Sequence, residues 1–300
     1  MIHKAKKSLG QNFLKSELAL RKIVETGEIK RDDVILEIGP GKGALTEKLL
    51  ENAGFIVAVE KDRELFEFLK IKFEEKIKEG SLVLVHEDIL KYSINKTILK
   101  VGQNILERTL GRSDGDEQRK FLAKNFSDES ENALSNFKII ANIPYNITGA
   151  ILKKFLTEKP QPASMVLMVQ HEVARRIVAT DGKESLLSIS VKAYGQPKII
   201  MKVPARYFSP QPKVDSALIV IKNISRQIFS TKDESAPGGK NGVNEEKFWE
   251  IVKAGFAHKR KKLSSNLKSI KNGNKTAVLN LGNKRAEDLS LVDWISLTKR

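Results

Sequence analysis

Val34-Ile35-Leu36-Glu37-Ile38-Gly39-Pro40-Gly41-Lys42-Gly43-Ala44-Leu45 reads as a buried strand, a glycine turn and the opening of a helix. Glycines tolerate positive φ and let a ligand approach the backbone, and a helix N-terminus offers unpaired N–H groups. The turn alone does not choose a ligand, because Gly39, Gly41 and Ala44 also satisfy the dinucleotide pattern G-x-G-x-x-A, which keeps a nicotinamide enzyme among the readings. Glu60 ends the next apolar run about twenty residues later, where a carboxylate accepts from both ribose hydroxyls of an adenosine. S-adenosylmethionine has no pyrophosphate and carries a sulfonium cation, so further carboxylates at Glu37 and Asp88 suit it. Read singly, those two are equally well strand-end or capping groups; with Glu60 they favour the methyl donor.

Working outward, brief apolar runs at 34–38, 55–59, 82–85, 137–141 and 165–169 predict buried parallel strands. Segments 44–52 and 63–78 between them carry Leu45, Leu49, Leu65, Phe66, Leu69 and Phe73 at helical spacing. Two more runs, 199–203 and 217–221, flank a loop with Pro204, Pro210 and Pro212, and predict an antiparallel hairpin that closes the sheet. The expected fold is α/β and Rossmann-like, a seven-stranded, mostly parallel sheet with a small C-terminal all-helical domain. The first domain is expected over 1–229, with a polar insertion at about 102–136. A linker at 230–244 contains Pro237-Gly238-Gly239 and Asn241-Gly242, and Phe248, Trp249, Val252, Phe256, Leu289, Trp294 and Leu297 give 245–300 a helical period.

The 300 residues hold 53 Lys and Arg against 37 Asp and Glu, a net charge of +16 that draws a polyanion and makes nucleic acid the leading partner. Cysteine is absent, which excludes disulfides, thiol nucleophiles and thiolate zinc sites. His3, His86, His171 and His258 lack metal-ligand spacing, so no metal is expected. No apolar run reaches the roughly 18 residues of a membrane span, and the first residues lack a signal-peptide core. A cytoplasmic protein without a membrane partner is the expectation.

Asn142-Ile143-Pro144-Tyr145 follows the fourth strand and so stands at the carboxyl edge of the sheet, where open α/β folds bind ligands. Proline pushes the residue before it toward extended geometry. A backbone carbonyl of this turn and the Asn142 amide oxygen can then both face one amino group. Adenine N6 is a poor nucleophile because its lone pair is delocalised into the ring. Two acceptors on its hydrogens favour a more tetrahedral nitrogen without a strong base. Tyr145 would stack on the flipped base, and such stacking contributes about 1 to 3 kcal/mol. The bland alternative is a strand-ending turn, since Asn and Pro both favour turns. Phe208 could form the opposite wall of the base pocket or pack on the core.

These segments, together with Lys7-Ser8-Leu9-Gly10-Gln11-Asn12-Phe13-Leu14, Val59-Glu60-Lys61-Asp62, Glu87-Asp88, Phe208-Ser209-Pro210-Gln211-Pro212-Lys213-Val214-Asp215-Ser216, Phe256-Ala257-His258-Lys259-Arg260-Lys261-Lys262-Leu263 and Arg285-Ala286-Glu287-Asp288-Leu289-Ser290, resemble the ribosomal RNA adenine dimethyltransferases. The likeness spans nearly the whole chain and is greatest to the bacterial small-subunit branch linked to kasugamycin sensitivity. It implies S-adenosylmethionine as cofactor, with contacts from Asn12, Leu14, Gly39, Glu60, Asp88 and Asn142; the turn itself adds Gly41. It also implies dimethylation of two adjacent adenosines in a hairpin near the 3′ end of 16S rRNA, on an immature 30S subunit, by a chain acting as a monomer. Lys259, Arg260, Lys261 and Lys262 would contact RNA phosphates, their alternative being a solvated helix face. The large-subunit relatives of macrolide-resistance type share the Asn-Ile-Pro-Tyr kind of motif, and a non-catalytic assembly factor is a third reading. Two departures stand out: the insertion at 102–136, and Gly149-Ala150 where the family has Ser/Thr-Pro.

Overall fold

The computed structural model describes residues 5–31, 33–94, 137–229, 243–268, 270 and 283–299. The insertion at 102–136 and all but two residues of the linker at 230–244 lie outside them. The strands are β1 (Phe13–Leu14), β2 (Val34–Ile38), β3 (Phe55–Glu60), β4 (Leu82–His86), β5 (Phe137–Asn142), β6 (Ser164–Gln170), β7 (Gln196–Val203), β8 (Phe208–Ser209) and β9 (Ser216–Lys222). The described helices are α1 (Glu17–Gly27), α2 (Ala44–Leu50), α3 (Arg63–Lys72), α4 (Glu74–Glu79), α5 (Thr148–Thr157), α6 (His171–Val178), α7 (Leu186–Lys192), α8 (Glu245–Gly255), α9 (Leu263–Asn266) and α10 (Leu291–Thr298).

Seven strands form one sheet in the order β4-β3-β2-β5-β6-β9-β7, parallel from β4 to β6, with β9 antiparallel to β6. The seven-stranded, mostly parallel sheet expected from the apolar runs is therefore present. Every residue of β2 and β3 is buried, because a parallel strand covered on both faces excludes water from both rows of side chains. The edge strand β7 is less buried and presents Lys198 and Lys202 outward, charges that discourage pairing with another chain. Strand order reverses between β2 and β5, and a crevice opens at such a switch point beyond the carboxyl ends of the strands. β1 and β8 form a separate antiparallel pair.

The helix expected over 63–78 divides at Phe73, where φ is −113° and ψ 26°, and its ring packs at 6 % exposure beside the glycine turn. Helices α1, α5, α6 and α7 were not foreseen. Ser16 and Ser185 cap α1 and α7, each accepting a backbone N–H of the first turn.

The chain divides into two compact units, Met1–His171 with Ile199–Lys222, and Glu172–Lys198 with Asn223–Arg300. The division differs from the boundary expected at 229 because residues 172–198 bond within the C-terminal unit. The Tyr194 hydroxyl donates to Glu245 at 2.5 Å, Ser225 N–H donates to the Tyr194 carbonyl, and Glu184 N–H donates to the Glu287 carbonyl. Within that unit Phe248 and Trp294 are fully buried, and Phe229 meets Phe248 edge-on at 5.5 Å.

Candidate active site

A cavity of about 530 Å³ lies at the switch point, bordered by the β2 turn, the tips of β3 and β5 and the segment before α1. That volume suits a nucleoside-sized ligand. Gly39 sits at φ +65° with no atom within 4 Å of where a Cβ would be, so its backbone faces a bare cradle. The turn is closed from Gly39 N–H to the Val59 carbonyl at 2.9 Å and from Gly43 N–H to the Pro40 carbonyl at 2.9 Å. Glu60 lies at 5 % exposure at the β3 tip, accepting from Gly41 N–H at 3.1 Å and Asp62 N–H at 2.8 Å. It is therefore held in place before any ligand arrives.

Three other carboxyl groups surround this turn, and they differ in charge. Glu37 is buried and accepts from the Thr46 hydroxyl at 2.7 Å; burial pushes its pKa from 4.5 up to about 8, against which the Thr46 bond acts and Glu60 adds repulsion. At neutral pH it is mostly protonated, so it provides a hydrogen bond and not the anionic charge expected near a sulfonium. Asp88 instead stays ionised, its pKa lowered first by the 2.8 Å bond from Lys61. Asp62 is also held below the ordinary carboxylate range; burial opposes this, and bonds from Lys6 and Gln11 overcome it.

Those two bonds, from Lys6 Nζ and Gln11 Nε2 to Asp62, are each 2.8 Å. Asp62 also caps α3, accepting from Glu64 N–H at 3.0 Å. Further along the segment the Asn12 carbonyl accepts from Asn142 Nδ2 at 3.0 Å, and a Cβ on Gly10 would stand 3.1 Å from Asn146 Oδ1. Residues 6–14 thus run as a strap along the cavity, fastened at the β3 tip and again at the β5 tip. Leu14 ends the strap buried at 6 % exposure.

At the β5 tip the Asn142 bond fixes which way the amide points: a carbonyl partner demands the nitrogen, which leaves Oδ1 as the acceptor. Pro144 has φ −60° and ψ 131°, and its carbonyl accepts from Ile147 N–H at 3.3 Å to start a short 3-10 turn over Tyr145–Ile147. Asn142, Ile143, Pro144 and Tyr145 all border the cavity, Ile143 with its side chain buried. The Tyr145 hydroxyl is 2.5 Å from Ser216 Oγ, and burial raises its pKa further above 10.0, so it stays neutral.

The structure brings Asn12, Leu14, Gly39, Gly41, Glu60, Asp88, Asn142, Pro144 and Tyr145 to one cavity. Phe208 is not part of its lining. At 2 % exposure it packs in the core and pairs with Leu14, so the alternative weighed for it, a packed loop aromatic, is the one observed. Lys259, Arg260, Lys261 and Lys262 are exposed in the turn between α8 and α9 and not along a helix face; buried Asn266 holds that turn by donating to the Gly255 and His258 carbonyls at 2.6 and 3.1 Å. Sequence reasoning gave Gln11, Asp62 and Ser216 no role, although each lies within a quoted motif. Among the described residues no helix is long and apolar enough to cross a membrane.

The buried Glu37 makes a pH prediction. Its proton is retained in the folded state and released on unfolding once pH exceeds about 4.5, so its contribution to stability falls as pH rises from 4.5 toward about 8 and is level above. Asp62, Asp88 and Asp215, with depressed values, act oppositely but only at acid pH. Urea unfolding between pH 5 and pH 8 should therefore show a loss of stability that Glu37→Gln reduces. An equal loss in both proteins would overturn the assignment.

The chain matches the family described as ribosomal RNA adenine dimethylase over residues 2–300. It is 36% identical over 301 residues to ribosomal RNA small subunit methyltransferase A of Dehalococcoides mccartyi, covering 98% of this chain and 87% of that one. The Fusobacterium nucleatum protein of the same name is 35% identical, with 100% and 98% covered. Among solved structures, a dimethyladenosine transferase from Plasmodium falciparum superposes with a TM-score of 0.67 at 24% identity, covering 95% of each chain. The 23S rRNA methyltransferase ErmE superposes at 0.65 with 22% identity, over 96% of this chain and 98% of that one. Both likenesses are of fold, that of class I methyltransferases. With a sheet of that kind, a switch-point cavity and a match from residue 2 to residue 300, the chain belongs to the ribosomal RNA adenine dimethylase family.

Proposed function

We propose that this chain transfers methyl groups from S-adenosylmethionine to N6 of two adjacent adenosines in a hairpin near the 3′ end of 16S rRNA, on the maturing 30S subunit. The observation that carries the reading is the fastened Asn142 amide, whose oxygen is the atom left to accept a proton-bearing nitrogen. The cavity suits the cofactor: the bare Gly39 cradle leaves room for its backbone-facing edge, Glu60 stands where ribose hydroxyls donate, and ionised Asp88 accepts from an adenine amino group. When bound, the cofactor supplies an electrophilic methyl group. Gly41, Asn12 and Leu14 complete its surroundings.

In the first transfer Asn142 Oδ1 and the Pro144 carbonyl accept the two N6 hydrogens and orient the nitrogen lone pair toward the methyl group; in the second, one of them accepts the single hydrogen that remains. Tyr145 stacks on the flipped adenine and offsets the few kcal/mol that unstacking costs. The proton released by the amine leaves through these acceptors to water, with no strong base required. The reaction proceeds in the cytoplasm, on a monomer, and needs no metal. Incubation with labelled cofactor and undermethylated 30S particles, followed by nucleoside mapping, should place the label in dimethyladenosine of 16S rRNA. Label restricted to 23S rRNA, or none, would overturn the reading.

Lys259, Arg260, Lys261 and Lys262 bind RNA phosphates. Removing one cation that neutralises a phosphate reduces the dependence of log affinity on log salt by about 0.7 to 0.9. Replacing all four with Gln should therefore weaken 30S binding and flatten its salt dependence, while cofactor affinity stays unchanged. A salt slope equal to that of the parent chain would remove the turn from the interface.

A further inference from the structure

Tyr145 is tethered at both ends. Its backbone opens the 3-10 turn after Pro144, and its carbonyl accepts from the Thr148 hydroxyl at 3.1 Å. Its hydroxyl lies 2.5 Å from Ser216 Oγ. Ser216 is fully buried as the first residue of β9, in register with Gln170 at the end of β6. The residue before it is held on three sides: Asp215 accepts from Ala205 N–H at 2.9 Å and from Lys202 Nζ at 2.9 Å, and its carbonyl accepts from His171 N–H at 3.0 Å. The Ser216 hydroxyl therefore belongs to the rigid sheet, while Tyr145 belongs to the turn that borders the cavity.

A tyrosine ring anchored only at its backbone turns about two side-chain torsions. The phenol oxygen lies on the axis of the second torsion, so fixing it sets the first torsion and the direction of the ring axis. The preference of a phenol for hydrogen bonds in the plane of its ring then favours one ring plane before a base arrives. Preorganisation of this kind acts on the geometry of the reacting complex more than on encounter, because the near-attack arrangement is reached without ordering the platform each time.

We propose that Ser216 is a positioning residue for methyl transfer, holding the Tyr145 ring in the plane against which the acceptor adenine stacks. The proposal rests on the reading of Tyr145 as the stacking platform. Ser216 touches neither base nor cofactor; it acts through the phenol oxygen. Thr keeps the hydroxyl and Ala removes it. Tyr145→Phe deletes the other half of the same bond and keeps the ring.

The test compares Ser216→Ala, Ser216→Thr, Tyr145→Phe, the Ser216→Ala/Tyr145→Phe double variant and Tyr145→Ala in the full chain, with undermethylated 30S particles as substrate. Reconstituted particles carrying 2-aminopurine at the acceptor position report stacking through quenching of its fluorescence. Tyr145→Ala should lower kcat by about a hundredfold or more. Ser216→Ala and Tyr145→Phe should each lower kcat about tenfold, the order one hydrogen bond supplies. The double variant should lose no more than either single one. KM for 30S and cofactor affinity should stay as in the parent chain, quenching should weaken, and Ser216→Thr should restore both quenching and rate. A parental kcat for Tyr145→Ala would refute the platform reading itself. A hundredfold loss there, beside parental rates and quenching for Ser216→Ala and Tyr145→Phe, would overturn the role of Ser216 alone, as would additive losses in the double variant. Should Ser216→Ala fail to fold, Tyr145→Phe decides by the same two readouts.

Discussion

Asn142→Ala is expected to lower methylation of undermethylated 30S particles by about a hundredfold to a thousandfold, the range found when one polar group aimed at a transition state is removed. The magnitude follows from what Asn142 does in the β5 turn. Its nitrogen is bound to the Asn12 carbonyl at 3.0 Å, so its oxygen is oriented before the substrate arrives. A water molecule replacing that oxygen would have to be ordered anew in each complex. The same substitution also unfastens the strap at one of its two attachment points, while Asp62 still holds Lys6 and Gln11. Cofactor affinity should therefore weaken only a few-fold, and 30S binding should stay near that of the parent chain. Equilibrium binding of labelled cofactor, 30S pull-down and single-turnover methylation separate these quantities. Methylation within threefold of the parent chain would remove Asn142 from the chemistry. A cofactor affinity that falls in parallel with the rate would make it a strap anchor instead.

Much of this site was legible because the sheet imposes a strong pattern on the sequence. Val34–Ile38 has the bounds expected of it because a strand buried on both faces is a nearly continuous apolar run, here broken only by Glu37, between charged or turn residues. The glycine turn and Asn142-Ile143-Pro144-Tyr145 follow such runs directly, so placing the strands placed both motifs at the cavity. Contacts remote along the chain were not legible. Phe208 is in the core because β8 pairs with β1, and nothing near Phe208 in sequence announces a two-residue strand almost at the other end of the methyltransferase fold. Asp62 looked like an ordinary residue after a strand; its importance depends on Lys6 and Gln11 folding back onto it. Glu37 was read as a charge although its strand reads as buried, because sequence does not show that the group bonded to it is the neutral Thr46 hydroxyl and not a cation.

Gly39 and Gly43 occupy the same turn, yet their alanine variants should fail in opposite ways. Gly43 has φ +78°, and a Cβ there would lie 2.6 Å from Phe73 Cε2, with Leu69 Cδ2 at 3.0 Å. Phe73 and Leu69 are core residues at 6 % and 0 % exposure, so the ring cannot swing away without opening the packing between α3 and the sheet. Left-handed backbone costs a side-chain-bearing residue about 1 to 2 kcal/mol, and overpacking adds about 1 to 3 kcal/mol. Gly43→Ala should thus lose roughly 2 to 5 kcal/mol, seen as a lower urea midpoint with the slope unchanged. Gly39, at φ +65°, bears the same backbone strain, but a Cβ there meets no atom within 4 Å. Its methyl group would enter the cavity proposed to hold the cofactor. Gly39→Ala should therefore lose only about 1 to 2 kcal/mol of stability, while cofactor affinity falls tenfold or more, because the displaced ligand gives up interactions worth at least about 1.4 kcal/mol. Calorimetric titration and urea unfolding on both variants decide the matter. If Gly39→Ala binds the cofactor as the parent chain does, the bare cradle is not the place where the ligand meets the backbone.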